Sequence, residues 1–387
     1  MKLLNSKKCK IFTSIIIIIF AVSSRILNLI YIPLVLDNKI KKIENYLKIC
    51  SSNKYLKIEK VKLNKIPKIS IITPLYNTGK FILRLLRSIQ YQKFRDLEII
   101  IIDDCSEDDS VTLIENYKKD DKRINLIKNK NNKGTFSSRN IGILKSKGNF
   151  LILPDSDDIL LENVLYYFYN LAIKYDYEII RFNAYITYGK TFFGLITDNL
   201  ESRVIYQPEL STYIFYGLGH LKQVDYNIWN KFIKREALIR ALNTLNKNEL
   251  NLYMTCHEDG LLNYILYRTA KSYYFEKKFG YYYIKNNYKK RKGYYNFNNI
   301  KYSFIHIMNV FNYSKNTKYE KDMTNEIFKR LIYKKRIKDR LALLNREFKF
   351  FIEIINILNE NEFFLNKYKK YLIYFKIYFF KKLLKFI

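Results

Sequence analysis

The sequence predicts an α/β fold built on a doubly wound, mostly parallel sheet flanked by helices. Three observations lead there. Between residues 68 and 153, short β-branched runs alternate four times with segments that are apolar at helical spacing. The run Leu97–Ile102 is apolar at nearly every position, as a parallel strand buried on both faces must be. Strand and helix alternating at this pace imply right-handed crossovers within one sheet, so ligands should bind beyond the carboxyl ends of its strands.

The elements follow in order. Lys68–Thr73 is a strand ended by Pro74, and Phe81–Gln90, apolar at 81, 82, 85, 86 and 89, is a helix. Leu97–Ile102 is the second strand, and Ser110–Lys118 the second helix behind an acidic, serine-containing cap region. Ile124–Ile127 is a third strand. After the polar loop 130–133 and Gly134, Ser137–Lys145 is a helix ended near Gly148, and Asn149–Leu153 is a fourth strand. Farther on, Asn163–Lys174 is expected as a helix, Glu178–Phe182 as a strand and Tyr185–Tyr206 as strand and loop. From about residue 286, Lys, Tyr, Ile and Phe segments with little Gly or Pro predict a basic, aromatic-rich helical region over 286–387. Its end, Phe363–Ile387, carries seven lysines and no acid, which suits either an anionic membrane surface or docking on the domain.

The 387 residues, 48% of them hydrophobic, suffice for a sizeable core and exclude a disordered chain. A net charge of +33 and a pI near 9.7 would suit nucleic acid, anionic lipid or a phosphorylated ligand. Heavy use of Lys, Ile, Asn and Tyr assigns much of that charge to compositional bias, and no nucleic-acid-binding motif is present, so no nucleic acid is expected as a partner. Cys9, Cys50, Cys105 and Cys256 show no CxxC spacing, and His220, His257 and His306 are scattered. That argues against a structural zinc site and leaves a Cys105–Cys256 disulfide open.

The amino end is basic, with Lys2, Lys7, Lys8 and Lys10 and no acid, and residues 11–36 are then mainly apolar with Arg25 as their one charge. This is long enough to cross a bilayer by the usual requirement of ~20 residues, and the flank is that of a signal anchor. The anchor reading takes 1–36 as cytosolic tail and membrane span, 37–66 as a stem and 67–285 as a lumenal domain. The lumen would be that of the Golgi or endoplasmic reticulum in a eukaryotic cell. The competing reading is a cleavable signal cut near Ala21-Val22-Ser23.

Three acidic constellations stand where chemistry is expected. Asp103-Asp104 follows the second strand and suits hydrogen bonds to a base or ribose, or a cap for the next helix. Asp155, Asp157 and Asp158 follow the fourth strand. Three carboxylates in four residues repel unless a cation or hydrogen bonds compensate, which fits Mg²⁺ or Mn²⁺ shared with substrate phosphates, or a solvated acidic turn. Glu258-Asp259 precedes the apolar 261–266 run and suits a general base, or acids favoured at the positive end of a helix.

Taken in order, these motifs closely resemble glycosyltransferase family 2, nucleotide-diphospho-sugar transferases of the GT-A (Rossmann-like) fold. The resemblance is carried by Ile69–Asn77 with its Pro-Leu-Tyr-Asn turn, Leu97–Ser106, Asn132-Lys133-Gly134, Ser138–Gly142, Gly148-Asn149-Phe150 leading to Asp155–Asp158, Asn227–Phe232 and Glu258-Asp259. It covers roughly residues 67 to 285. It implies that Pro74, Tyr76 and Asn77 shape the nucleotide pocket, with Asp103 or Asp104 near base and ribose, and that Gly134, Arg139 and Asp155 lie on the donor side. It further implies Asp157 as the main Mn²⁺ or Mg²⁺ contact with Asp155 and Asp158 beside it, and Asp259, or Glu258, as the catalytic base. The implied chemistry is inverting transfer from a UDP- or GDP-sugar to an acceptor glycan, glycoprotein or lipid. The alternative is a catalytically inactive nucleotide-sugar-binding or interaction protein on the same fold. Cys105 stands where the family usually has Gly.

Overall fold

The computed structural model describes residues 45–46, 48–50, 66–188, 191–196, 202–210, 227–255 and 258–285. The chain divides into two compact units. The first holds the sheet and extends through Ser211, then 227–253 and 265–288; residues 254–264 belong to the second, which therefore includes the opening turns of one helix.

The elements of the sheet unit run β1 (Ile69–Leu75), α1 (Gly79–Gln90), β2 (Leu97–Asp103), α2 (Ser110–Asp120), β3 (Ile124–Lys128), α3 (Gly134–Lys145), β4 (Phe150–Ile152), β5 (Ile159–Leu160) and α4 (Val164–Tyr175). They continue with β6 (Ile179–Tyr188), β7 (Thr191–Ile196), β8 (Val204–Tyr206), β9 (Lys231–Lys234), α5 (Arg235–Leu242) and α6 (Lys247–Leu250). Helix α7 (Glu258–Thr269) and β10 (Ser272–Lys285) close the described chain. The strand order is β3-β2-β1-β4-β9-β6-β10-β5, with β7 paired to β6 and β8 to β10.

The half formed by β3, β2, β1 and β4 is parallel throughout, as the alternation predicts. Its inner strands β1, β2 and β4 are buried on both faces, so Ile69, Ile71, Ile72 and Ile99 through Ile102 are almost fully enclosed, while the edge strand β3 is partly exposed. The sheet as a whole is mixed instead of mostly parallel. β9 enters antiparallel between β4 and β6, and β5, β7 and β8 also pair antiparallel. Among the described residues, β6, β7 and β8 follow α4 without an intervening helix, and parallel neighbours need a long crossover connection, usually a helix.

Boundaries moved where a tertiary partner intervenes. β1 runs through Pro74 instead of ending there. β4 pairs with β1 only as far as Ile71, so Pro74 lies where β1 borders β2 alone, an edge-like place that tolerates the missing N–H. α3 starts at Gly134, three residues ahead of the expected position, because a carboxylate on β2 caps its first amides. Gly142 lets α3 lie directly on the sheet: a Cβ there would come within 2.3 Å of Ile72 and 2.7 Å of Ile102.

Part of the predicted 37–66 stem belongs to the domain. Tyr46 and Cys50, four apart on a helical segment, share one face. Cys50 is fully buried against Ile159 and Tyr282. The Tyr46 hydroxyl donates to the Leu160 carbonyl at 3.0 Å, and Arg87 Nη1 donates to the Cys50 carbonyl at 3.1 Å. The proposed span 11–36 and the helical region 286–387 lie outside the described residues. Among the described residues, no helix is long and apolar enough to cross a membrane.

Candidate active site

The carboxyl ends of β1, β2 and β4 bring three loops together. The first follows β1. Pro74 is half-buried and Tyr76 is 48% exposed. Asn77 takes a left-handed conformation, φ 51°, that asparagine tolerates. Its backbone N–H donates to Ser106 Oγ at 3.0 Å, and its Oδ1 accepts the Glu107 N–H at 2.8 Å. Asn77 therefore ties the β1 loop to the β2 loop and shapes the pocket by holding backbone.

Asp103 and Asp104 end β2, and both are buried. Asp103 Oδ1 accepts the Ser106 N–H at 3.2 Å. Asp104 accepts the backbone N–H groups of Lys133 and Gly134 and the side-chain amide of Asn129, each at 2.8 Å. A carboxylate thus sits on the amino end of α3, where partial positive charge and unpaired N–H groups favour it. Gly134 supports this by adopting φ 79°, which only glycine takes without strain. The capping alternative for this pair is realised, on α3 instead of on α2. Between the two aspartates and Ser106, Cys105 has φ 65°, which accounts physically for a glycine being usual there. Its thiol is free and donates to the Asn129 carbonyl at 3.2 Å, so the Cys105–Cys256 disulfide is not formed.

The third loop follows β4. The carboxylates of Asp155, Asp157 and Asp158 offer oxygens that all lie within 4.8 Å of one another. Asp155 Oδ1 pairs with Arg139 Nη2 at 2.5 Å, and the arginine side chain is 2% exposed against 31% for the aspartate. Arg139 is therefore directed at the acidic turn. Asp158 is fully buried, its Oδ2 accepting the Tyr281 hydroxyl at 2.9 Å and its Oδ1 the Ile284 N–H at 2.8 Å. Burial, then the charges of Asp157 and Asp155, raise its pKa well above the usual carboxylate range, against the pull of those two hydrogen bonds. Burial raises the Tyr281 phenol as well, with Asp158 and Asp155 adding to it, so Tyr281 is held as a donor. Its oxygen also accepts the Asp155 N–H at 2.9 Å, and its ring stacks on Trp229 at 4.6 Å. A divalent cation fits this donor set: hard carboxylate oxygens converge, and one pays for its neighbours' charge by a raised pKa. Asp157 and the outer part of Asp155 would hold the ion, and Asp158 supports the turn from below.

Glu258 and Asp259 open α7 in the second unit and are half-buried. Both positions thus match the helix-start reading of that motif.

Four contributors carried no sequence signal. Thr78 donates from Oγ1 to Ser156 Oγ at 2.9 Å, linking the first and third loops. Arg84 of α1 donates to the Asp157 carbonyl. Tyr281 lies inside a long aromatic strand, where alternation hides its hydroxyl. Tyr253 is 40% exposed, and burial, then the charges of Asp104 and the Tyr76 phenol, raise its pKa.

The family model described as Glycosyl transferase family 2 matches residues 70–242. The chain is similar to Glycosyltransferase GlyG of Streptococcus pneumoniae, 32% identical over 117 residues, covering 30% of this chain and 39% of that protein. It is 41% identical over 100 residues to the GalNAc(5)-diNAcBac-PP-undecaprenol beta-1,3-glucosyltransferase of Campylobacter jejuni, covering 26% and 32%. Against YibD of Escherichia coli, an uncharacterized glycosyltransferase, it is 25% identical over 230 residues, covering 58% and 63%. The chain thus spans less than two thirds of the length of these relatives. Among solved structures, Staphylococcus aureus TarS 1–349 matches with a TM-score of 0.52 at 20% identity, over 70% of this chain and 73% of that one, and so does its complex with UDP. At that identity the likeness is one of fold.

Proposed function

Because residues 70–242 belong to the family 2 glycosyltransferases, we propose that this chain transfers a sugar from a nucleoside-diphosphate donor to an acceptor hydroxyl, with inversion and with the help of Mn²⁺ or Mg²⁺. The observation that carries the reading is the convergence of Asp155, Asp157 and Asp158 at the carboxyl end of β4, beside loops held by Asp104 and Asn77.

The residues divide the work. Tyr76, with Tyr253 near it, offers aromatic surface to the base, and the tied loops after β1 and β2 wall the pocket. Asp157 and Asp155 would hold a divalent ion, and such an ion would supply positive charge where the leaving diphosphate becomes more negative. Arg139 fixes the Asp155 carboxylate in that arrangement. Asp259 takes the acceptor proton as the sugar–phosphate bond breaks, a role supported by its place in the Glu-Asp block, with Glu258 beside it. A UDP-sugar is the first donor to test, since the fold neighbour TarS is known with UDP bound. A membrane tether through residues 11–36 is part of the same proposal, supported by their hydropathy and basic flank. Resistance of the full chain to carbonate extraction, lost when residues 1–36 are removed, checks it.

The deciding experiment presents the full chain, in detergent, with UDP- and GDP-sugars with and without Mn²⁺, and measures released nucleoside diphosphate. Metal-dependent release from at least one donor is expected. Donor binding with no release from any of them would favour the inactive binding protein.

A further inference from the structure

Each residue of the acidic turn is held by a group from outside the turn. Asp155 is fixed by Tyr281 through its N–H and by Arg139 through its carboxylate. Ser156 is held by Thr78, and Asp158 by Tyr281 and Ile284. The backbone carbonyl of Asp157 is taken by Nη2 of Arg84, which reaches it from α1. The Arg84 guanidinium also lies over the Phe81 ring, 4.7 Å from its centroid. Its Nε is buried and makes no hydrogen bond. Burial lowers its pKa, opposed by the charges of Asp158 and Asp157.

Such a placement is costly. A long side chain is ordered, a charged group is partly desolvated and one donor is left unsatisfied. An apolar residue of similar length would avoid the last two costs. What only the arginine supplies here is a donor to the Asp157 carbonyl. We propose that Arg84 is a positioning residue for the metal site: it holds the Asp157 backbone so that the carboxylates are already arranged before an ion arrives. Thr78 and Arg84 lie on one short stretch, so the same segment after β1 ties the acidic turn at two points. The inference rests on the metal reading given above.

The charge of Arg84 by itself would repel a divalent ion, so a purely electrostatic role and a positioning role predict opposite outcomes. The test uses the full chain and Mn²⁺ alone, with free Mn²⁺ read by electron paramagnetic resonance, for wild type, Arg84→Met and Arg84→Lys. Arg84→Met is expected to weaken Mn²⁺ binding about tenfold, the scale seen when an outer-shell partner of a metal ligand is lost, and Arg84→Lys to recover part of it. Turnover at saturating Mn²⁺ should return close to wild type. Unchanged or tighter Mn²⁺ binding in folded Arg84→Met overturns the proposal, as does a loss of turnover that saturating Mn²⁺ leaves in place. Should Arg84→Met fail to fold, the lysine variant decides: weaker binding at a wild-type Tm supports the role, and wild-type binding overturns it. Absence of Mn²⁺ binding in the wild type would remove the metal reading itself, and this inference with it.

Discussion

The aspartates after β2 and the aspartates after β4 look alike in the chain, and the structure treats them oppositely. Asp104 faces donors: two backbone N–H groups at the start of α3 and the Asn129 amide. Its charge is matched by those donors. Asp158 faces other carboxylates, and burial together with Asp157 and Asp155 pushes its pKa up although two donors bind it. The first cluster is closed by the fold. The second is left with excess negative charge in one small volume, which is what a divalent cation can neutralise. The difference lies in what the neighbouring loops present, since both clusters follow buried strands.

The sharpest way to break this comparison is Asp157→Asn. If the β4 turn does the metal work, nucleoside diphosphate release should fall about 10²-fold or more at unchanged Tm, the scale of losing one group aimed at developing charge. Activity within a fewfold of wild type would put the metal elsewhere. Asp104→Asn should act the other way round, on the fold. It turns one acceptor into a donor facing N–H groups, and should cost roughly 2–3 kcal/mol in a denaturant titration, the range for hydrogen bonds to a buried charged group. A variant of normal stability would mean that the α3 cap is dispensable.

Acidity gives a third, smaller test. A carboxyl whose pKa is raised on folding contributes stability that is complete below its unfolded pKa of about 4 and is lost as pH rises through the raised folded value. Asp158 is such a group. Without metal, it should therefore cost stability toward neutral pH, and Mn²⁺ should return that stability. The Mn²⁺-induced rise in Tm is expected to be larger near about pH 8 than near about pH 5, by about 3 °C for each kcal/mol relieved. An equal rise at both values would show that Asp158 does not sense the ion. The smallest effect belongs to Cys105→Gly. Relief of the left-handed backbone at φ 65° opposes the greater freedom of glycine in the unfolded chain and the loss of the thiol contact, so Tm should move by no more than about 2–4 °C. A collapse of stability would assign the thiol a larger part in the β2 loop.

Much of this was legible in the sequence, and for local reasons. Isoleucine runs such as 99–102 can only be central strands, and the helices between them carry their own spacing, so the parallel half followed from pattern. Ordered motifs pointed to the right loops. Glycine stands at Gly134, where the backbone turns left, and at Gly142, where a helix lies close on the sheet. The pattern weakened beyond residue 178 because β6, β7 and β8 follow one another, among the described residues, with no helix between them, and pairing direction is then a matter of where each strand returns.

By itself, the sequence determined which residues are chemically able to act: it put Asp103, Asp104, Asp155, Asp157 and Asp158 at strand ends and fixed the fold class through periodicity. Only the tertiary structure decided what each carboxylate meets. Thr78, Arg84, Tyr253 and Tyr281 come from the far side of other elements, at separations of 73 residues for Arg84 and Asp157 and 123 for Tyr281 and Asp158. Hydrogen bonding and desolvation depend on such through-space neighbours, and no local pattern encodes them. That is why two similar acidic signals became a helix cap in one case and a turn of three converging carboxylates in the other.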